Sequence, residues 1–259
     1  MAPHRNRRAT VVTPVGFGVA ELRPDPGRPR AWTLLLDGVP QSYVDLADPT
    51  RVGFGYLDRL GSLLRLWPPV RVPLRVLHLG GGGLTLARLI DHLRPGSAQR
   101  VIEHDRPLLD LVRRVLPPPA AAELVAGDAR AELAAAEPGA WDVVVADVFE
   151  GGWMPDRLAT TGFAAEARRA LRPGGLFLMN LTDLPPQSRT RVQAATLRAV
   201  FADVCLLGEP EFVRGRTAGN AVFAAADDLG RLPRRTGAVH GPALDAFSMG
   251  ATARLEEPG

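Results

Sequence analysis

The chain has 259 residues, 46% of them apolar and 23% charged, the mix of an ordinary globular protein with a full core. No run approaches the roughly 18 uninterrupted apolar residues of a membrane span, and no apolar signal segment follows the basic N-terminus MAPHRNRRAT. The net charge is +3 and every strongly basic residue is arginine, which excludes a Schiff-base lysine and the lysine of a phosphate-binding P-loop.

In chain order, residues 1–10 are expected as a disordered basic arm. GFGVAELR, AWTLLLD and QSYVDL, separated by turns at PDPGRP and Gly38, predict a small antiparallel β-hairpin unit over 11–48. A helix is predicted over 49–67, with Pro49 at its start and WPPV beyond its end. Strands and helices then alternate. Strands are predicted at 74–79, 100–105, 122–128, 141–149, 176–181, 204–207 and 220–226. Helices are predicted at 84–93, 107–116, from Ala129, near 160–171 and over about 187–201. Val- and Leu-rich strands separated by helices predict an α/β domain over 49–229, with a mostly parallel sheet covered on both faces. Residues 230–259, rich in Gly, Pro and Arg, are expected as a flexible tail.

Open α/β sheets bind nucleotides at the carboxyl ends of their strands. The first of these strands ends in HLGGGGLTLAR, whose Gly80, Gly81 and Gly82 let backbone approach a ligand ahead of a helix N-terminus. The second ends at Glu103 in VIEHD, the third at Asp128 in GDAR and the fourth at Asp147 in VADVFE. Each has a plainer explanation, as a turn glycine or a helix-capping acid. Four consecutive strands delivering such residues to one edge favour a nucleoside site. A dinucleotide fingerprint is excluded because Thr85 stands where G-x-G-x-x-G needs its last glycine.

The arrangement resembles the class I S-adenosylmethionine-binding methyltransferase fold, and within it the spermidine synthase (polyamine aminopropyltransferase) family. The resemblance covers roughly residues 16–226. It rests on LLLDGVPQSYVDL with Tyr56 in the following helix, HLGGGGLTLAR, VIEHD, GDAR, WDVVVADVFE and RALRPGGLFLMN. It implies a Rossmann-like seven-stranded sheet with an N-terminal antiparallel unit. It also implies a transferase that moves an aminopropyl group from decarboxylated S-adenosylmethionine to a di- or polyamine and releases methylthioadenosine.

By the same resemblance Glu103 holds the ribose hydroxyls, Asp128, with Ala129 beside it, faces the adenine, and Gln41 lies near the nucleoside. Asp147 takes the proton of the attacking amine, Glu150 is the second acid, and Tyr56 borders the acceptor. The sequence also departs from the family. Aligning on Gly80–Gly82 places Gly83 where members carry an Asp that faces the donor's amino group, and Leu84 and Thr85 replace two further glycines. Glu150 replaces the usual Asp, and GGWMPDRL lacks the usual Asp-Pro. Loss of an anion at position 83 weakens the preference for a purely cationic donor tail.

Ordinary S-adenosylmethionine is therefore a second candidate donor, for a methyltransferase or aminocarboxypropyl transferase acting on a small amine. A non-catalytic nucleoside-binding relative is the third reading. A small-molecule amine is the expected partner. No membrane partner is expected, and no nucleic acid, because the arginines form no basic stripe interleaved with aromatics. Family members are commonly dimers or tetramers, which makes a homodimer an option that these residues do not fix. No metal is expected, since His4, His78, His92, His104 and His240 lack ligand spacing and Cys205 stands alone. Ser42 and Ser62 lack a nucleophile-elbow context. A cytoplasmic location is expected.

Overall fold

The computed structural model describes residues 9–230 and 238–256. Most of the expected basic arm lies outside them. Four strands, β1 (Val11–Val15), β2 (Gly18–Pro24), β3 (Ala31–Leu36) and β4 (Val39–Asp45), form an antiparallel N-terminal sheet in sequence order. Helix α1 (Gly55–Leu66) leads into the main domain. There follow β5 (Arg75–Leu79), α2 (Thr85–Leu93), β6 (Ala98–Glu103), α3 (Arg106–Val115), β7 (Ala122–Ala126), α4 (Ala129–Ala135) and β8 (Trp141–Ala146). A 3-10 turn (Asp156–Leu158) precedes α5 (Thr161–Ala170) and β9 (Leu171–Asp183). The chain continues through α6 (Ser188–Arg198), β10 (Asp203–Leu207), α7 (Pro210–Val213), β11 (Gly219–Ala226), β12 (Val239–His240) and α8 (Pro242–Ser248).

The main sheet runs β12-β10-β11-β9-β8-β5-β6-β7. Strands β7, β6, β5, β8 and β9 are parallel, whereas β11, β10 and β12 join antiparallel. Successive side chains of a strand point to opposite faces, and here both sets are apolar. Leu77, Leu79, Val144, Ala146, Phe177 and Met179 pack into one core with α5, α6 and α8. Val76, Val143, Val145, Leu176 and Leu178 pack into the other with α1 and α2. A third cluster joins the N-terminal sheet, through Leu22, Trp32, Leu34 and Val44, to Leu84, Ala87, Leu111 and Val112 beside and within α2 and α3.

Three expectations need correction. Helix α1 begins six residues after Pro49, because Asp48 binds the Thr50 amide in a local turn and Gly53 takes a left-handed φ of +73°. Among the described residues the sheet carries one strand beyond the expected seven, since β12 pairs through Cys205–His240 and Leu206–Val239. The tail is also partly built in. Leu244 and Phe247 of α8, an i,i+3 apolar pair that the Gly/Pro/Arg-rich composition obscured, join the core of α5 and α6.

One buried charge ties the helices together. Arg94, only 1% exposed at the C-cap of α2, donates to the carbonyls of Leu64 (2.7 and 3.2 Å), Pro69 (2.6 Å), Val72 (3.2 Å) and Trp67. It thereby holds the C-terminal end of α1, the helix whose first turn carries Tyr56, against α2.

Candidate active site

Strand register fixes the site before any side chain is considered. Leu79 pairs with Ile102 on one side and Ala146 on the other, Glu103 with Ala126, and Ala146 with Met179. Gly80, Glu103, Asp147 and Asn180 therefore emerge side by side at the carboxyl edge, with Asp128 two residues beyond β7. Above this edge, beneath the β3–β4 turn and the start of α1, lies a cavity of about 550 Å³. Every residue expected to act lines it, Gln41, Tyr56, Gly80–Gly82, Glu103, Asp128, Ala129, Asp147 and Glu150, with the exception of Gly83.

The glycine turn is held from both sides. Gly80 has a φ of +95°, and a Cβ there would stand 2.1 Å from the Asp147 carbonyl oxygen. Only glycine allows the turn leaving β5 to approach the backbone leaving β8 this closely. The amides of Gly81 and Gly82 donate to Glu103 Oε2 at 3.0 and 3.2 Å, and the Asp105 amide donates to Oε1 at 3.0 Å. Glu103 is thus the clamp of the turn as well as the candidate ribose acid, and a carboxylate with about four acceptor sites retains capacity for a ligand hydroxyl.

Gly83 is where the sequence reading needs revision. It is buried, its amide donates to Ser42 Oγ at 3.1 Å, and an added Cβ would meet Ser42 Cβ at 2.9 Å and Val44 Cγ2 at 3.0 Å. The position faces β4 and not the cavity, so its missing side chain makes no room for a donor carboxylate. Both Gly83→Ala and Gly83→Asp are expected to destabilise the fold, the first by about 1–3 kcal/mol from overpacking, without tightening donor binding. Thermal unfolding and donor titration of the two variants check this, and an unchanged melting temperature would contradict it.

Asp147 sits at the cavity floor. Its Oδ1 accepts from Asn180 Nδ2 at 2.8 Å, and Asn220 Nδ2 in turn donates to Asn180 Oδ1 at 3.2 Å. The Tyr56 hydroxyl stands beside it from α1, near enough to favour its charged form. Burial pushes the Asp147 carboxyl up to about 6, against the opposing pull of the Asn180 bond and the nearby Tyr56 hydroxyl. Burial, and then the Asp147 charge, raise the Tyr56 hydroxyl, which stays protonated at neutral pH.

The other acids are more exposed. Asp128 caps α4, its Oδ1 accepting from the Arg130 and Ala131 amides at 2.9 Å each. Its plainer reading as a cap and its place in the cavity are both realised. Partial burial opposes its charge, but the Ala131 amide, the Arg157 guanidinium and the Arg130 amide outweigh that and hold the carboxyl below its ordinary value. Glu150 closes a tight turn with Trp153, whose carbonyl accepts from the Glu150 amide at 2.8 Å. Thr182 Oγ1 pins this turn through the Gly152 carbonyl at 2.7 Å. Arg157 joins the two acids, with Nη1 3.0 Å from Asp128 Oδ2 and Nη2 2.7 Å from Glu150 Oε1. Gln41, which lines the cavity, donates from Nε2 to the Val39 carbonyl at 3.3 Å.

Sequence reasoning missed Asn180, Arg157 and Phe17. An Asn interrupting the apolar run LFLMNL was a usable signal for the first. Arg157 is one arginine among many. Phe17, 45% exposed in the β1–β2 turn, lies 5.7 Å from the His104 ring on the cavity wall and was read only as part of a hairpin. His78 is buried at the back of the cavity, donating from Nε2 to Gln99 Oε1 at 2.9 Å, and burial lowers it to about 4. It is therefore neutral. Among the described residues no group of three or more His, Cys, Asp or Glu is placed to hold a metal ion, and no helix is long and apolar enough to cross a membrane.

No family model matches the chain. A polyamine aminopropyltransferase of Chromobacterium violaceum is 29% identical over 143 residues, 54% of this chain and 53% of that protein. A probable polyamine aminopropyl transferase of Bifidobacterium longum is 30% identical over 105 residues, 40% of this chain and 23% of that protein. The chain spans about half the length of the first of these curated relatives and less of the second. A probable spermidine synthase from Corynebacterium glutamicum superposes with a TM-score of 0.88 at 26% identity, covering 97% of this chain and 98% of that one. A spermidine synthase crystallised with the transition-state analogue AdoDATO superposes with a TM-score of 0.64 at 17% identity, over 88% of this chain and 78% of that one. The last likeness is one of fold.

Proposed function

We infer that this chain, spermidine-synthase-like in fold and in sequence, moves an aminopropyl group from decarboxylated S-adenosylmethionine to a small di- or polyamine. The observation that carries the reading is Asp147, a cavity-floor carboxylate oriented by Asn180, with Tyr56 beside it, and raised to about 6. In the reaction the amine nitrogen attacks the methylene carbon beside the sulfonium. The C–N bond forms as the C–S bond breaks, sulfur keeps the electron pair, and methylthioadenosine leaves. The attacking amine must first lose a proton, and Asp147 is placed to take it. A base whose pKa lies near the working pH transfers protons efficiently. The sulfonium is already a good leaving group, so what remains for the protein is positioning. Glu103 and the glycine turn hold the ribose, Asp128 and Ala129 flank the base, and Gln41 and Phe17 close the nucleoside end.

The pH dependence follows from Asp147. Below about pH 6 the carboxyl is protonated and cannot accept the proton, so kcat/KM is expected to fall about tenfold per pH unit there. A steady-state pH profile of the wild type checks this, and a profile flat down to about pH 4.5 would remove Asp147 as the base. Calorimetric titration with the two donors tests the wider reading. Tighter binding of the decarboxylated donor is expected. A strong preference for ordinary S-adenosylmethionine would overturn it and leave methyl or aminocarboxypropyl transfer to be considered.

A further inference from the structure

Arg157 lines the cavity with its guanidinium shared between two of the site's carboxylates. Its backbone is fixed. The Arg157 carbonyl accepts from Arg130 Nη1 at 2.8 Å, Arg130 pairs with Glu256 at 2.8 Å, and the next residue, Leu158, is fully buried in the core. The side chain is not so confined. The Arg157, Asp128 and Glu150 side chains are 42%, 36% and 40% exposed, and ion pairs this open to water are weak and separable. One cation between two carboxylates leaves the trio net negative, so it does not recruit an anionic ligand. It attracts a second cation, which must compete with Arg157 for the same oxygens.

We propose that Arg157 is a built-in competitor for Glu150, occupying the place that the distal ammonium of a diamine acceptor takes, and that it thereby sets the affinity for dicationic acceptors. This rests on the aminopropyl-transfer reading, because only there is a diamine the acceptor. The reacting nitrogen belongs at Asp147, which Arg157 does not touch. The distal ammonium needs a different carboxylate, and Glu150 lines the same cavity three residues along the chain from Asp147. Binding a diamine then requires the Glu150–Arg157 contact to open, while a monoamine leaves it closed. The neighbouring groups agree with a movable bar: Asp128 keeps its two amide donors at α4 when the guanidinium leaves, so the cap survives.

The experiment is calorimetric binding of 1,4-diaminobutane and of butylamine, with methylthioadenosine saturating, to the wild type, Arg157→Gln and Arg157→Lys. Arg157→Gln is expected to bind the diamine about fivefold more tightly, the scale of one exposed ion pair, with butylamine unchanged. Arg157→Lys, which keeps the cation, is expected to stay within about twofold of the wild type for both. Adding Glu150→Gln to Arg157→Gln is expected to abolish the gain. Diamine affinity that is unchanged or weaker in Arg157→Gln overturns the proposal. So does an equal gain for butylamine, which would mean a general change of potential and no contest at Glu150. Binding is the readout, so the outcome is separate from turnover. If the wild type forms no methylthioadenosine, the transfer reading fails whatever these affinities are.

Discussion

Asp147→Asn is expected to lower kcat by about 10²- to 10⁴-fold, the usual contribution of a positioned general base, and at the same time to stabilise the fold at neutral pH. The second half follows from linkage. A carboxyl raised to about 6 from an ordinary 3.8 holds its proton in the folded state over a range where the unfolded chain has released it. That favours folding below about pH 4, and the contribution is lost as pH rises through 6. At pH 7 the folded protein carries a half-buried charge that the unfolded chain would expose fully to water. The substitution removes the charge, keeps an oxygen to accept from Asn180, and is expected to gain about 1–2 kcal/mol, discounted because the cavity admits water. Chemical denaturation at pH 5 and pH 7, beside turnover, checks both halves. The gain should be smaller at pH 5. A variant that is both inactive and less stable at pH 7 would point to a structural role instead.

Arg94→Ala is expected to cost on the order of 3–5 kcal/mol. Five donor contacts reach four carbonyls, those of Leu64, Trp67, Pro69 and Val72. Hydrogen bonds to a charged group contribute about 1.5–3 kcal/mol each, and buried acceptors left alone add a penalty. Water can enter the half of this network that borders the exposed 70–73 loop, which limits the loss. Lysine has three donors on a point charge against the planar fork of five, so Arg94→Lys should recover only part. Because the network fixes α1, and α1 carries Tyr56, the Ala variant should also weaken activity at temperatures where it remains folded. A urea midpoint within error of the wild type would contradict the account.

The sequence was most readable where one physical rule dominated. Strands buried on both faces, such as WDVVVADVF and LFLMNL, announce themselves through apolar content, and their carboxyl ends then locate Gly80, Glu103, Asp128 and Asp147 without any structure. What it hid depended on contacts between distant segments. Gly83 looked like a lost donor contact, but its amide and Cα face Ser42 and Val44, forty residues upstream in another sheet. Arg157 looked like any other arginine, and only the path of the 150–158 segment brings it between Asp128 and Glu150. Helix α8 was masked by composition, since two apolar residues at helical spacing suffice once a core is waiting for them. Asn180 stood in a quoted motif, where a polar residue in an apolar strand was itself a sign of a site.

The most direct test of the central claim is product analysis by mass spectrometry after incubating the wild type with decarboxylated S-adenosylmethionine and 1,4-diaminobutane. Equal amounts of methylthioadenosine and the aminopropylated diamine are predicted, with neither formed by Asp147→Asn above a few per cent. Absence of methylthioadenosine with this and longer diamines, together with S-adenosylhomocysteine formed from the ordinary donor, would contradict it.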